Sequence, residues 1–271
     1  MKRAILLVML SLAVFDSIYA QNDSHDRPHI IKNAFQTILD SLGVTGSVLV
    51  YDAGQETFYS NDFVWAKKGF IPASTFKIAN GIIAVETGVV EDESVVFKWD
   101  GQKRALSNWE QDLTFKQAFQ FSCVPCFQQI ARDVGEDRMK HYLSEFEYGQ
   151  IMFEGSEIDS FWLRGASRIS QFEQIAFLER FYFEKLGISE RTTAIMKKVM
   201  LIDDSKGQIL SGKTGLGRMG DTDIGWIVGY QEVDETVFFF ATNIQPKDAN
   251  TTDFNAKRLI ATQLALRVLY R

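Results

Sequence analysis

Runs that read as β-strand cluster towards the two ends of the chain, and the long stretch between them reads as helix. Near the start, Gly46 to Asp52 and Glu56 to Ser60 are separated by a turn containing Ala53 and Gly54, a hairpin signal. Near the end, Gln208 to Ser211, Asp223 to Gln231 and Thr236 to Asn243 read the same way, the last two hinged around Val233 and Asp234. Between these groups, Ser74 to about Thr87 carries apolar residues at helical spacing, with Ser74 as cap and Gly88 as stop. Leu113 to Met200 alternates helical patterns with short loops, and Asn255 to Tyr270 closes the chain as an amphipathic helix. Strands so far apart in sequence bury their apolar faces by pairing with one another. The pattern predicts an α/β protein of the α+β type, with one antiparallel sheet built from both chain ends, flanked by helices, and a mainly helical insertion covering it.

No Pro-, Gly- or Ser-rich linker, charge block or internal repeat interrupts the chain after about residue 30, so a single compact unit is expected. The first twenty residues stand apart. Lys2 and Arg3 precede an apolar run from Ala4 to Phe15, and Ile18, Tyr19 and Ala20 form a cleavage site, so residues 1–20 read as a signal peptide and 21–271 as the mature domain. The run is too short to cross about 30 Å of hydrocarbon as a helix, and no cysteine follows it to carry a lipid. An exported, soluble protein with no stable membrane anchor is therefore expected.

With 29 basic against 35 acidic residues the net charge is −6, which offers no footprint for nucleic acid or an anionic membrane surface. Two cysteines and three histidines argue against a disulfide scaffold or a zinc domain, and leave few candidates for imidazole chemistry. His25 and His29 lie in a polar segment after the expected cleavage site. His141 falls in a helical pattern, where it reads as a surface residue, so no metal site and no Ser-His-Asp triad is expected.

Two nucleotide-binding patterns occur and fail on context. Gly207 to Thr214 matches the phosphate loop, which must run from strand into helix, yet Ile209 and Leu210 read as strand and the residues after Thr214 lead to another strand. Gly215, Gly217 and Gly220 match the dinucleotide fingerprint with no helix behind them, and read as a flexible turn between two strands.

Serine chemistry without histidine remains. Ser74 begins a helix and Lys77 follows three residues later, on the same face and within reach. The helix N-terminus brings free amides and a positive dipole end to the serine oxygen, which suits an acyl-transfer oxyanion. A lysine acts as base only once its proton is lost, and burial promotes that loss. Taken alone, the spacing equally describes a capping serine followed by a solvated lysine.

Two further elements follow in order. Ser122, Cys123 and Val124 open another helical pattern, and Lys213, Thr214 and Gly215 end a strand. Together the three boxes resemble those of the penicillin-recognising serine enzymes, and Ser-x-Val in the middle is similar to the class D, oxacillinase-type β-lactamases rather than class A. Phe97 to Gly101, Asn108 to Glu110, Phe127 to Ala131 and Phe161 to Leu163 also resemble that family, so the likeness covers nearly the whole mature chain.

The resemblance implies the penicillin-recognising fold and a catalytic domain over 21–271, acting on β-lactam antibiotics from the periplasm of a Gram-negative bacterium, as monomer or homodimer. It implies Ser74 as nucleophile and Lys77 as general base carrying a carbamate, so that carbon dioxide or bicarbonate is needed and no other cofactor. Val124, Trp162 and Leu163 would wall the carbamate off, with Trp162 donating to it. Ser122 would relay a proton to the leaving nitrogen, and the amides of Ser74 and Leu216 would form the oxyanion hole. Lys213, Thr214, Gly215 and Arg258 would bind the substrate carboxylate, although Arg258 also reads as a surface residue of the last helix. A non-hydrolysing penicillin sensor and a small DD-peptidase are the alternatives.

The chain departs from the family pattern twice. Where the family commonly has Tyr-Gly-Asn, Tyr148 and Gly149 are followed by Gln150, which displaces the amide by a methylene. Cys123 and Cys126 flank the end of the middle box, either free or locally bridged; if Ser122 caps the helix, Pro125 falls harmlessly in its first turn. A redox role like that of the CxxC oxidoreductases lacks the βαβ context.

Overall fold

The computed structural model describes residues 27–205, 207–248, 251 and 253–270; the expected signal peptide at residues 1–20 lies outside them. The N-terminal part comprises β1 (His29–Ile31), α1 (Asn33–Ser41), β2 (Val44–Asp52), β3 (Thr57–Ser60) and α2 (Phe63–Ala66). The helical middle runs through α3 (Lys77–Glu86), β4 (Val96–Phe97), β5 (Leu113–Thr114), α4 (Phe115–Gln120), α5 (Val124–Val134) and α6 (Glu136–Glu145) to α7 (Gln171–Tyr182) and α8 (Glu190–Met200). The C-terminal part is β6 (Leu201–Asp203), β7 (Gln208–Met219), β8 (Thr222–Val233), β9 (Thr236–Pro246) and α9 (Phe254–Leu269).

The seven-stranded sheet has the order β1-β3-β2-β9-β8-β7-β6. The two chain ends meet at its centre, where β2 pairs antiparallel with β9 from Val44–Pro246 to Asp52–Phe238. Every pairing is antiparallel except one: β1 lies parallel to β3 at the edge, His29 opposite Phe58, because α1 and β2 carry the chain back before β3 forms. The sheet expected from both ends is thus present, with a short parallel edge added. Side chains alternate across it. Val48 and Val50 pack with Phe35 and Leu39 of α1 and Ala261, Ala265 and Leu266 of α9, whereas Leu49 and Tyr51 face the helical insertion.

The insertion is organised around α3, whose residues from Lys77 to Val85 are all buried. A helix apolar on every side belongs at the centre of a domain, so the position of Lys77 on it removes that amine from water. Around it, α4 and α7 begin with capping boxes, Thr114 with Gln117 and Ser170 with Glu173, which satisfy orphan amides at each start.

One strand differs in kind from the sequence expectation. Gln208–Ser211 is only the beginning of β7, which continues through Lys213, Thr214 and Gly215 to Met219 in unbroken register with β8. Those three residues lie mid-strand rather than at a strand end. Gly215 and Gly217 are strand residues, and only Gly220, with φ +59°, belongs to the turn. Strand glycines often mark a close backbone approach. A Cβ at Gly217 would lie 2.9 Å from Ile71 Cγ2, and one at Gly215 would lie 3.3 Å from Ser74 N. The extended backbone from Gln208 to Thr214 also removes the phosphate-loop reading, since no loop or helix start forms there.

Candidate active site

The nucleophile turn is held from four directions. Ala73–Phe76 forms a 3-10 turn that leads into α3, so regular helix begins at Lys77 rather than at a capping Ser74. Ala73 has φ +50°, a left-handed conformation unfavourable for alanine, and its N–H donates to Trp162 O at 2.8 Å. Thr75 Oγ1 donates to Pro72 O at 2.6 Å and accepts from Gln174 Nε2 at 2.9 Å. Trp226 Nε1 donates to Ile71 O at 2.9 Å. Ser74 keeps 8% exposure, enough for its hydroxyl to meet a substrate.

Lys77 is fully buried, and its Nζ donates to Ser74 Oγ at 2.9 Å. The ring of Phe127 lies 5.3 Å from Nζ. Among the described residues no carboxylate pairs with it. Burial, seconded by the charge of Lys213, holds the amine well below the usual lysine range, which favours the uncharged base form beside a hydroxyl. Trp162 is wholly buried, stacks on Phe76 with centroids 5.0 Å apart, and leaves its Nε1–H without a partner. A buried unpaired donor is costly, typically about 1–3 kcal/mol, and marks a place for an acceptor. Leu163 is next in the chain and partly exposed.

The middle box lies between α4 and α5. Ser122 has φ +57°, Cys123 caps α5, and Val124 and Pro125 form the first turn, so the cap is one residue later than expected. Val124 lies one turn before Phe127, the residue under Lys77. Cys123 and Cys126 are bridged, with Cα atoms 5.5 Å apart.

β7 completes the cleft. Lys213 is 4% exposed, donates to Thr214 O at 3.1 Å, and has the ring of Phe119 at 5.6 Å. Burial first, then the charge of Arg258, lowers its pKa to about 7. Arg258 reaches from near the start of α9 to donate to Gly215 O at 2.9 Å, and its Nε is buried without a partner. Burial lowers its pKa to about 10, and among the described residues no carboxylate answers it. It belongs to the cleft wall, not to the outer surface. Leu216 is 45% exposed and lines, with Asp223, Phe254 and Asn255, a cavity of about 430 Å³ beside that guanidinium. Two unneutralised cations on one wall suit a substrate anion.

Ser74 and Lys77 are thus in contact, Phe127 from the helix after the Ser122 box faces Lys77, β7 passes the Ser74 turn at Gly215, and Gln150 is accommodated. Its backbone pairs with Arg168 in both directions while its side chain is exposed, so the longer amide displaces nothing. His141 is exposed on α6, and among the described residues no cluster could hold a metal. His29 lies in β1, its ring stacked on Phe63 at 4.7 Å. Sequence reasoning missed Thr75, Gln174 and Trp226. Their partners are the nucleophile turn itself, but Trp226 lies 155 residues from Ile71, and no spacing rule reaches that far.

Comparison with known proteins agrees with this arrangement. The penicillin binding protein transpeptidase domain matches residues 43–265. β-Lactamase OXA-48 of Klebsiella pneumoniae is 41% identical over 222 residues, 82% of each chain. The class D β-lactamase structure from Sebaldella termitidis superposes with a TM-score of 0.84 at 36% identity, covering 90% of this chain and 98% of that one. The regulatory protein BlaR1 of Bacillus licheniformis is 30% identical over 212 residues, which are 78% of this chain but 35% of that protein. By extent and identity together, the chain belongs to the class D β-lactamases of the penicillin-binding transpeptidase family.

Proposed function

We propose that the protein hydrolyses the β-lactam ring of penicillin-type antibiotics through an acyl-enzyme on Ser74, and so confers resistance on the cell that exports it. The observation that carries this reading is a wholly buried Lys77 amine, its pKa lowered by burial, in contact with Ser74 Oγ, in a chain whose Trp162 holds an unanswered donor.

Thr214, Lys213 and Arg258 take the substrate carboxylate and set the lactam carbonyl against Ser74. The amides of Ser74 and Leu216 receive the oxyanion as Ser74 Oγ attacks. Ser122 passes a proton to the lactam nitrogen as the C–N bond breaks. A neutral amine adds carbon dioxide and releases a proton; carboxylated in this way, Lys77 offers acceptor oxygens to Trp162 Nε1–H and a base for the hydroxyl and, later, for water. Val124, Trp162 and Leu163 keep bulk water from that group. Removal of residues 1–20 during export places the enzyme in the periplasm, where it acts as a monomer or homodimer.

The likeness to BlaR1 supports a second reading, a sensor that is acylated and not turned over. Incubation with benzylpenicillin, followed by absorbance and intact mass together, separates the readings. Rapid repeated hydrolysis is expected. A persistent acyl adduct instead would establish the sensor, and cleavage of D-Ala-D-Ala peptides without lactam turnover would establish a DD-peptidase.

A further inference from the structure

The Cys123–Cys126 bridge takes no part in the chemistry proposed above, yet it closes a ring that contains Val124 and begins at the residue after Ser122. We propose that it is a positioning element of the active site, a covalent helix cap that fixes Ser122 and Val124; this rests on the roles proposed for them.

An ordinary N-cap side chain accepts a hydrogen bond from the amide three residues on, and serine, threonine, aspartate and asparagine do this best. Cys123 is the cap of α5, and Cys126 N–H meets its Sγ at 3.3 Å. Thiol and thioether sulfur are weak acceptors, so cysteine is a poor cap by hydrogen bonding alone. The covalent bond joins the same two residues and closes the turn instead. Inside the closed ring lie Val124 and Pro125; immediately before it lies Ser122, in a left-handed conformation that costs a serine about 1–2 kcal/mol. From the α4 side that turn is held by Ser122 N–H to Phe119 O at 3.1 Å and Cys123 N–H to Ala118 O at 2.8 Å. From the α5 side the bridge holds it. Phe127, which follows the bridge, donates its amide to Cys123 O at 3.3 Å and places its ring under Lys77.

Cys123 is 2% exposed while Cys126 is partly exposed, so attack by a small dithiol is expected from the Cys126 side. Reduction transfers two electrons and two protons. The dithiol closes its own disulfide, the protein S–S bond breaks, and two thiols form.

The test measures the rate constant for Ser74 acylation by benzylpenicillin, from quenched intact mass, and the bicarbonate dependence of turnover, each with the bridge oxidised and reduced. Reduction is expected to slow acylation about tenfold, as a small misplacement of reacting groups does, and to raise the bicarbonate required, with recovery on reoxidation and unchanged far-UV dichroism. Cys123→Ser combined with Cys126→Val restores a hydroxyl cap without the bridge. It should show the same slow acylation and ignore the dithiol, and it decides the matter if the reduced native protein unfolds. Acylation and bicarbonate response in the folded, bridgeless protein equal to those of the oxidised form would overturn the proposal. Normal acylation without turnover removes only the hydrolase reading, and the acylation comparison still decides the role of the bridge. No acylation of the oxidised protein overturns both.

Discussion

Lys77 and Ser74 owe their pairing to solvent as much as to spacing. An ammonium with no carboxylate partner in a dry interior sheds its proton, and among the described residues nothing around Lys77 opposes that loss. Trp162 supplies the complementary donor, so Trp162→Ala should slow deacylation about a hundredfold, the scale of a displaced general base, and acylation much less. Rapid-quench mass spectrometry separates the two steps, and equal effects on both would remove Trp162 from the pocket. Lys213 behaves differently because its pKa of about 7 lies in the working range. Below that pH it is charged and attracts the substrate carboxylate. Above it the charge is lost, so this group makes kcat/KM fall as pH rises past about 7. In Lys213→Arg the guanidinium stays charged, and the alkaline limb should disappear. Its survival in the variant would assign the limb to another group.

At the scale of elements, the nucleophile turn and β7 are fitted to each other through glycine. In Gly215→Ala the new Cβ would lie 3.1 Å from Thr75 Cγ2, 3.2 Å from Thr75 N and 3.3 Å from Ser74 N. Alanine in a strand interior gains about 0.5–1 kcal/mol over glycine, while overpacking costs about 1–3 kcal/mol. Two of the three neighbours are backbone, so the clash wins. The variant should lose about 1 kcal/mol of stability in urea titrations and acylate about tenfold more slowly. Unchanged acylation would mean that the turn yields without moving Ser74. The same strand shows why part of the fold escaped sequence reading. Glycines at 212, 215 and 217 look like breaks in a strand when only local pattern is considered, and their reasons, contact of Gly215 and Gly217 with the turn near Ser74 and of Gly212 with the backbone of β8, are not local. The N-terminal elements were hidden otherwise: β1 is three exposed residues, and α1 starts at Asn33 with Lys32 at its cap position and no side-chain cap. By contrast Ser74, Lys77 and the β8–β9 hairpin were legible, because helical spacing and alternation are local signals.

For the whole molecule, the catalytic centre is placed where it costs stability. Sheet faces, α1, α9 and the insertion form ordinary apolar cores, and Lys77 is a charged-type residue set at the buried start of α3. Lys77→Met keeps much of the volume and removes the amine, so it should abolish activity yet raise stability by about 1–3 kcal/mol near neutral pH, the typical cost of a poorly paired buried polar group. The sign of its pH dependence follows from proton counts. Between the depressed folded pKa of Lys77 and the ordinary lysine value, the unfolded chain carries a proton on this residue that the folded chain lacks. Wild-type stability from this group therefore rises with pH across that window, with a slope of at most about 1.4 kcal/mol per pH unit. Lys213 adds the same sign above about 7 in both proteins, so it cancels in the difference. The advantage of Lys77→Met should shrink steadily as pH is raised through that window towards the ordinary lysine value. Urea denaturation in bicarbonate-free buffer, which keeps the wild-type amine uncarboxylated, measures this directly. Parallel stability curves for the two proteins would show that Lys77 keeps its ordinary proton in the fold, and the uncharged base required at Ser74 would be lost with it.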